Sequence, residues 1–144
     1  MTSKQESEVL EFIEAYRTCF GDFSNDAAET VRRLHRNGFC WHFAQMLKAT
    51  FDRGEVCWAA PFAHMIWLDN DGTPYDIEGI YDGEAFYFIP ESYIRRWIPQ
   101  FKHIPGISGR YSTKLELIHA VERYCHDQRM AYDPAIEPWF SDRN

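Results

Sequence analysis

Three residue types that do chemistry together stand in order along this chain of 144 residues: a cysteine, a histidine and a carboxylate. Cys40 follows Asn37-Gly38-Phe39 and opens the helical run Cys40-Trp41-His42-Phe43-Ala44-Gln45-Met46-Leu47-Lys48. A helix N-terminus presents unpaired N–H groups and the positive end of the helix dipole. Both favour an anionic sulfur and can hold a developing oxyanion. His64 heads the apolar run Met65-Ile66-Trp67-Leu68, and Asp76 and Glu78 lie on the segment that returns from it. A sulfur nucleophile, an imidazole base and a carboxylate to orient it are the parts of a cysteine hydrolase or acyltransferase. Such an enzyme works on a peptide or a small amide or thioester, with no cofactor and no metal.

The remaining candidates have plainer readings. Cys19, Cys57 and Cys125 sit mid-element beside apolar neighbours and are expected to be packing residues. His42 follows Cys40 by two positions, about 200° around a helix, and cannot easily serve as its base. His35, His103, His119 and His126 read as surface or helix-end residues. Asp69-Asn70-Asp71-Gly72 faintly resembles a calcium loop, but Ile80 stands where the late glutamate belongs, so a turn is the better account. Trp41, Trp58, Phe62 and Trp67 are candidates for an aromatic substrate cleft, and equally for core.

The elements that must position these groups follow from periodicity. Val9, Ile13, Tyr16 and Phe20 predict a helix over residues 4–20. Asp26 and Glu29 form a capping-box pattern before a second helix that Asn37-Gly38 ends. A third helix is expected over 40–53, closed by Gly54. Strands follow at Val56-Cys57-Trp58, at Ala63–Asp69, at Thr73–Glu78 and at Ala85–Ile89. A short helix is bounded by Pro90 and Pro99. The last helix, over 114–129, has Thr113 and Glu116 at its start and Leu115, Ile118, Val121 and Cys125 on its inner face. Trp139-Phe140 is expected to dock back onto the domain. Helices, then a small antiparallel meander, then a helix make a single α+β domain over 1–144.

The hairpin between the second and third strands decides whether His64 meets a carboxylate, because side chains alternate faces with period two. If Asp71-Gly72 alone formed the loop, Asp76 and Glu78 would point away from His64. If the loop is Asn70-Asp71-Gly72, with Gly72 in the left-handed region, Asp69 faces Thr73, Ile66 faces Asp76 and His64 faces Glu78. The Asn-Asp-Gly order favours the second register. Pro74 lacks an N–H and implies an edge or unpaired position.

Composition bounds the partners. Aromatic residues make up 17% of the chain, which fits a packed core and not a disordered segment. There are 15 Lys and Arg against 22 Asp and Glu, a net charge of -7 that disfavours nucleic acid. No apolar stretch reads as a membrane span or secretory signal, so a cytoplasmic location with no membrane partner is expected. Four widely spaced cysteines suit neither a zinc knuckle nor a disulfide framework.

Asn37-Gly38-Phe39-Cys40-Trp41, His64-Met65-Ile66-Trp67-Leu68 and Tyr75-Asp76-Ile77-Glu78-Gly79 together resemble the papain-like superfamily, in its transglutaminase-like and NlpC/P60-like branches. The resemblance covers roughly residues 37–80 and implies a minimal bacterial or phage version. In that superfamily the nucleophilic cysteine starts a central helix, and the histidine and its partner come from adjacent antiparallel strands. The implied roles fall on Cys40, His64 and Asp76. Leu34, His35 and Arg36 stand where a papain-type oxyanion glutamine would lie, so the backbone N–H of Cys40 is the expected donor. A non-enzymatic interaction module on the same scaffold is the alternative from another functional class.

Overall fold

The computed structural model describes residues 3–21, 40–62, 64–97 and 114–140. The expected second helix, the cap at Thr113, and His35 and His103 fall outside them.

Helix α1 spans Lys4–Gly21. Ser3 starts it by accepting the Glu6 N–H on its hydroxyl at 3.1 Å. Val9 and Ile13 form its buried stripe, as the helical spacing predicts. Helix α2 spans Cys40–Phe51 and buries Cys40, Phe43, Ala44 and Leu47. It stops two residues earlier than expected. Asp52 enters the left-handed region at φ 52°, and Gly54 follows at φ 77°.

The chain then forms a five-stranded antiparallel sheet in the order β4-β3-β2-β1-β5. The strands are β1 (Glu55–Ala60), β2 (Met65–Leu68), β3 (Pro74–Asp76), β4 (Gly79–Ile80) and β5 (Tyr87–Pro90). β1 lies between β2 and β5, and every residue after Glu55 is buried on both of its faces. β1 to β4 run as a meander. β5 does not extend it but crosses to the far side of β1, where Ala60 pairs with Tyr87 and Cys57 with Pro90. Helix α2 packs chiefly on β2, with β1 and β3 to either side.

Helix α3 (Glu91–Trp97) follows β5 directly, and α4 (Lys114–Asp127) closes the helical part. Leu117, Ile118, Ala120, Val121 and Cys125 are buried in α4. Leu115, expected on that face, is 60% exposed, and Leu117 takes the inward position. A 3-10 helix over Pro134–Trp139 is capped by Asp133, whose carboxylate accepts the Ala135 N–H. It returns the chain to the sheet: Phe140 is buried, with its ring 6.4 Å from Trp58. Among the described residues no helix is long and apolar enough to cross a membrane.

Candidate active site

The β2–β3 hairpin has the three-residue register. Leu68 pairs with Pro74 and Trp67 with Tyr75, so Asp69 faces Thr73 and Ile66 faces Asp76. Gly72, at φ 89°, donates its N–H to Asp69 O at 3.0 Å and closes the loop. Pro74 is not on an edge strand. It opens β3 opposite Leu68, one step from the hydrogen-bonded Asp69–Thr73 pair, so the ladder with β2 needs no N–H there, and toward β4 it takes part through its carbonyl, which accepts the Tyr81 N–H.

This register brings Asp76 to His64. The imidazole Nε2–H donates to Asp76 Oδ2 at 3.0 Å. The other carboxylate oxygen, Oδ1, accepts the Glu78 N–H at 2.9 Å, so the Asp76 side chain is held at both ends. The backbone of His64 is pinned as well: its N–H donates to Phe62 O and its carbonyl accepts from Ala59 N–H, each at 2.9 Å. The ring therefore has little freedom to rotate away from Asp76.

Cys40 opens α2, and its buried side chain acts on the His64 ring through hydrogen-bonding and Coulombic attraction that raise the imidazole pKa. With Nε2 taken by Asp76, Nδ1 is the ring nitrogen that remains for a second partner. Burial of the ring disfavours its charge. The hydrogen bonds to Asp76 and Cys40, with the Coulombic pull of both, overcome that penalty and raise the His64 pKa to about 9. The group is shielded: Cys40 is 3% exposed, and the side chains of His64 and Asp76 are 13% and 10% exposed. Such shielding strengthens every charge interaction in the site. Chemically, the arrangement can hold a thiolate beside an imidazolium and return the proton to a leaving group.

Other candidates fall elsewhere. Glu78, expected to share the face of His64, is exposed in the turn after β3. The strand ends at Asp76 because Gly79, at φ 109°, reverses the chain at once into β4. Trp67 is no cleft residue: it is fully buried, stacked on Phe51 at 5.6 Å, and donates its indole N–H to Arg53 O at 2.9 Å. Trp58 is buried too, its indole N–H bonded to Phe62 O at 2.6 Å. Phe62 is half-buried against Trp139. Trp41 does line a groove of about 350 Å³, with Gln45, Lys48, Val56, Pro90 and Glu91 among its neighbours. Its indole N–H donates to Glu91 Oε2 at 3.0 Å, and Arg95 holds the other oxygen of that carboxylate.

Cys57 and Cys125 are buried packing residues. Burial pushes the Cys57 thiol up to about 12 and the Cys125 thiol up as well. Cys19 is not a packing residue but is exposed on α1. His42, His119 and His126 are exposed. Among the described residues, no three or more His, Cys, Asp or Glu side chains are grouped so as to hold a metal ion.

Sequence reasoning passed over Tyr81. Its ring lies on His64, with centroids 5.1 Å apart and planes 32° apart. Nothing in the order of residues signals this, because β4 is only two residues long and has no periodicity to read.

The family model described as Phage YunG-like protein matches residues 12–110. That is more than half of the chain. The chain belongs to this phage YunG-like family. Cys40, His64, Asp76 and Tyr81 all lie inside the matched span, whereas α4 and the 3-10 helix lie beyond it. No curated protein and no solved structure gives a significant match.

Proposed function

We propose that this phage YunG-like protein is a small cysteine hydrolase or acyltransferase of papain-like design, acting on an amide or thioester through Cys40, His64 and Asp76. The reading is supported by the 3.0 Å bond that orients His64 on Asp76, together with the buried Cys40 at the start of α2, whose side chain helps to raise the His64 pKa. The Cys40 thiolate attacks the carbonyl carbon, and the carbonyl π electrons move onto oxygen. The backbone N–H groups at the start of α2 face that oxyanion. As the tetrahedral species collapses, the His64 imidazolium gives its proton to the departing amine or thiol, leaving an acyl-enzyme. Neutral His64 then takes a proton from water or an acceptor amine, which attacks the acyl carbon and releases Cys40. Asp76 keeps the ring oriented and offsets its positive charge throughout.

The molecule carries its own controls for a test. A low dose of iodoacetamide near pH 7, followed by peptide mass spectrometry, compares Cys40 with exposed Cys19 and with buried Cys57 and Cys125. Cys40 should react faster than Cys19, and His64→Ala should abolish the advantage. Labelling of Cys40 no faster than Cys19, and unaltered by His64→Ala, would overturn the enzyme and leave an interaction module on the same scaffold.

A further inference from the structure

Tyr81 follows β4 and is half-buried. Its backbone N–H donates to Pro74 O at 2.8 Å, continuing the pairing of β3 and β4. Its hydroxyl donates to Glu84 O, also at 2.8 Å. The phenol is thus fixed at both ends, and the ring between them lies 5.1 Å from the His64 ring. On its other flank Phe88 presents an edge, at 6.3 Å and 74°.

The loop around Tyr81 is built for this placement. A Cβ at position 83 would meet the Tyr81 hydroxyl at 2.5 Å and two ring carbons at 2.6 Å. Gly83 therefore leaves the space the phenol occupies. Burial raises the Tyr81 pKa, with Asp76 adding to it, so the ring stays neutral with its π-face intact. A neutral aromatic face against an imidazole attracts the ring more strongly when the imidazole is charged.

We infer that Tyr81 is a positioning residue for His64: its ring covers one face of the imidazole, holds the rotamer that joins Cys40 to Asp76, and favours the imidazolium. This rests on the reading of His64 as the acid and base of the site, but it can be tested without turnover. Among the described residues, the titratable groups that act on the His64 ring are Cys40 from α2, Asp76 from β3 and Tyr81 itself.

The experiment is an NMR titration of the His64 imidazole in the full chain, assigned by the signal lost in His64→Gln. Tyr81→Leu should lower the midpoint by roughly half a pH unit, the fold-change expected from one cation–π contact. Tyr81→Phe keeps the ring and should keep the midpoint. Gly83→Ala keeps Tyr81 but pushes it off its seat, and should lower the midpoint as Tyr81→Leu does. It also serves where Tyr81→Leu does not fold. An unchanged midpoint in Tyr81→Leu, or a fall in Tyr81→Phe as large as in Tyr81→Leu, would overturn the role of the ring. Iodoacetamide labelling of the same proteins separates the two readings. If Cys40 of the unmodified chain reacts no faster than Cys19, the enzyme fails while the titration still judges Tyr81. If Cys40 is fast but the midpoint ignores Tyr81, only this inference fails.

Discussion

Asp69 donates its backbone N–H to Thr73 O at 2.9 Å, and that one bond fixes the hairpin on which the proposed triad depends. It closes Asn70-Asp71-Gly72 as a three-residue loop, and it sets Ile66 opposite Asp76. A loop shorter by one residue would turn every side chain of β3 to the other face. The carboxylate that meets His64 is therefore chosen by a turn several residues away.

The choice of carboxylate is the first prediction. Asp76→Asn keeps the shape but removes the charge that stabilises the imidazolium. It should slow alkylation of Cys40 at least about tenfold, the rate equivalent of one pKa unit. Glu78→Gln changes an exposed side chain and should leave the rate within roughly a factor of two. Iodoacetamide kinetics on the two variants check this, and equal slowing by both would contradict the geometry.

The raised His64 pKa makes a second prediction, for stability against pH. A histidine charged more readily in the fold than in the unfolded chain stabilises the fold while it is protonated. That contribution is complete below the ordinary value of about 6.5 and is lost as pH rises through about 9. The stability difference between the unmodified chain and His64→Gln should shrink by up to about 3 kcal/mol between about pH 6 and pH 10. Urea unfolding at both pH values measures it. Groups remote from His64 titrate alike in both proteins, so a difference that stays flat or grows would contradict the ion pair.

Much of this site was legible in the sequence because its signals are local. Cysteine at a helix start is visible in the run after Gly38, and Asn70-Asp71-Gly72 carries the register in its glycine. What escaped depends on contacts between elements. Period two says that Met65 and Trp67 share a face of β2. It does not say that Phe51 will cover Trp67 and make it core instead of cleft. Strand length failed at Glu78 because Gly79 turns the chain sooner than an apolar pattern implies. The return of β5 to β1 is a long-range pairing with no local mark, and so is the stacking of Tyr81 on His64.

Two glycines with similar dihedral angles should respond differently to alanine. At Gly72, φ is 89° and an added Cβ meets nothing within 4 Å, so Gly72→Ala costs only the backbone strain, about 1 kcal/mol. At Gly54, φ is 77° and the Cβ would lie 2.5 Å from Leu68 O and 2.6 Å from Trp67 Nε1. Gly54→Ala adds a collision with the Leu68 carbonyl and the buried Trp67 indole and should cost roughly 3 kcal/mol or more. Urea midpoints of the two variants give the comparison, and similar losses would mean that the α2–β1 turn does not press on β2 as described.

Arg53 and Asp69 form the pair whose loss should cost most outside the site. Arg53 donates to Asp69 at 2.7 and 3.1 Å, and its guanidinium lies over Phe51 at 5.2 Å and Trp67 at 5.9 Å. The Asp69 side chain is wholly buried, whereas that of Arg53 is 23% exposed. Burial alone would raise the Asp69 pKa, but the hydrogen bonds from Arg53 and from the Asn70 N–H hold it below the usual carboxylate value. Arg53→Met strands a buried carboxylate and should cost about 3–5 kcal/mol. Asp69→Asn keeps an acceptor and leaves a guanidinium that can reach water, and should cost about 1–2 kcal/mol. The lowered pKa means that the contribution of Asp69 is present above about pH 4 and is lost as pH falls through its folded value. The Arg53→Met deficit should therefore shrink in acid, as Asp69 takes a proton and no longer needs its partner. Urea unfolding of both variants at neutral and acid pH tests this asymmetry; equal costs at neutral pH, or a deficit that grows in acid, would show that the pair does not anchor the hairpin through the buried charge of Asp69.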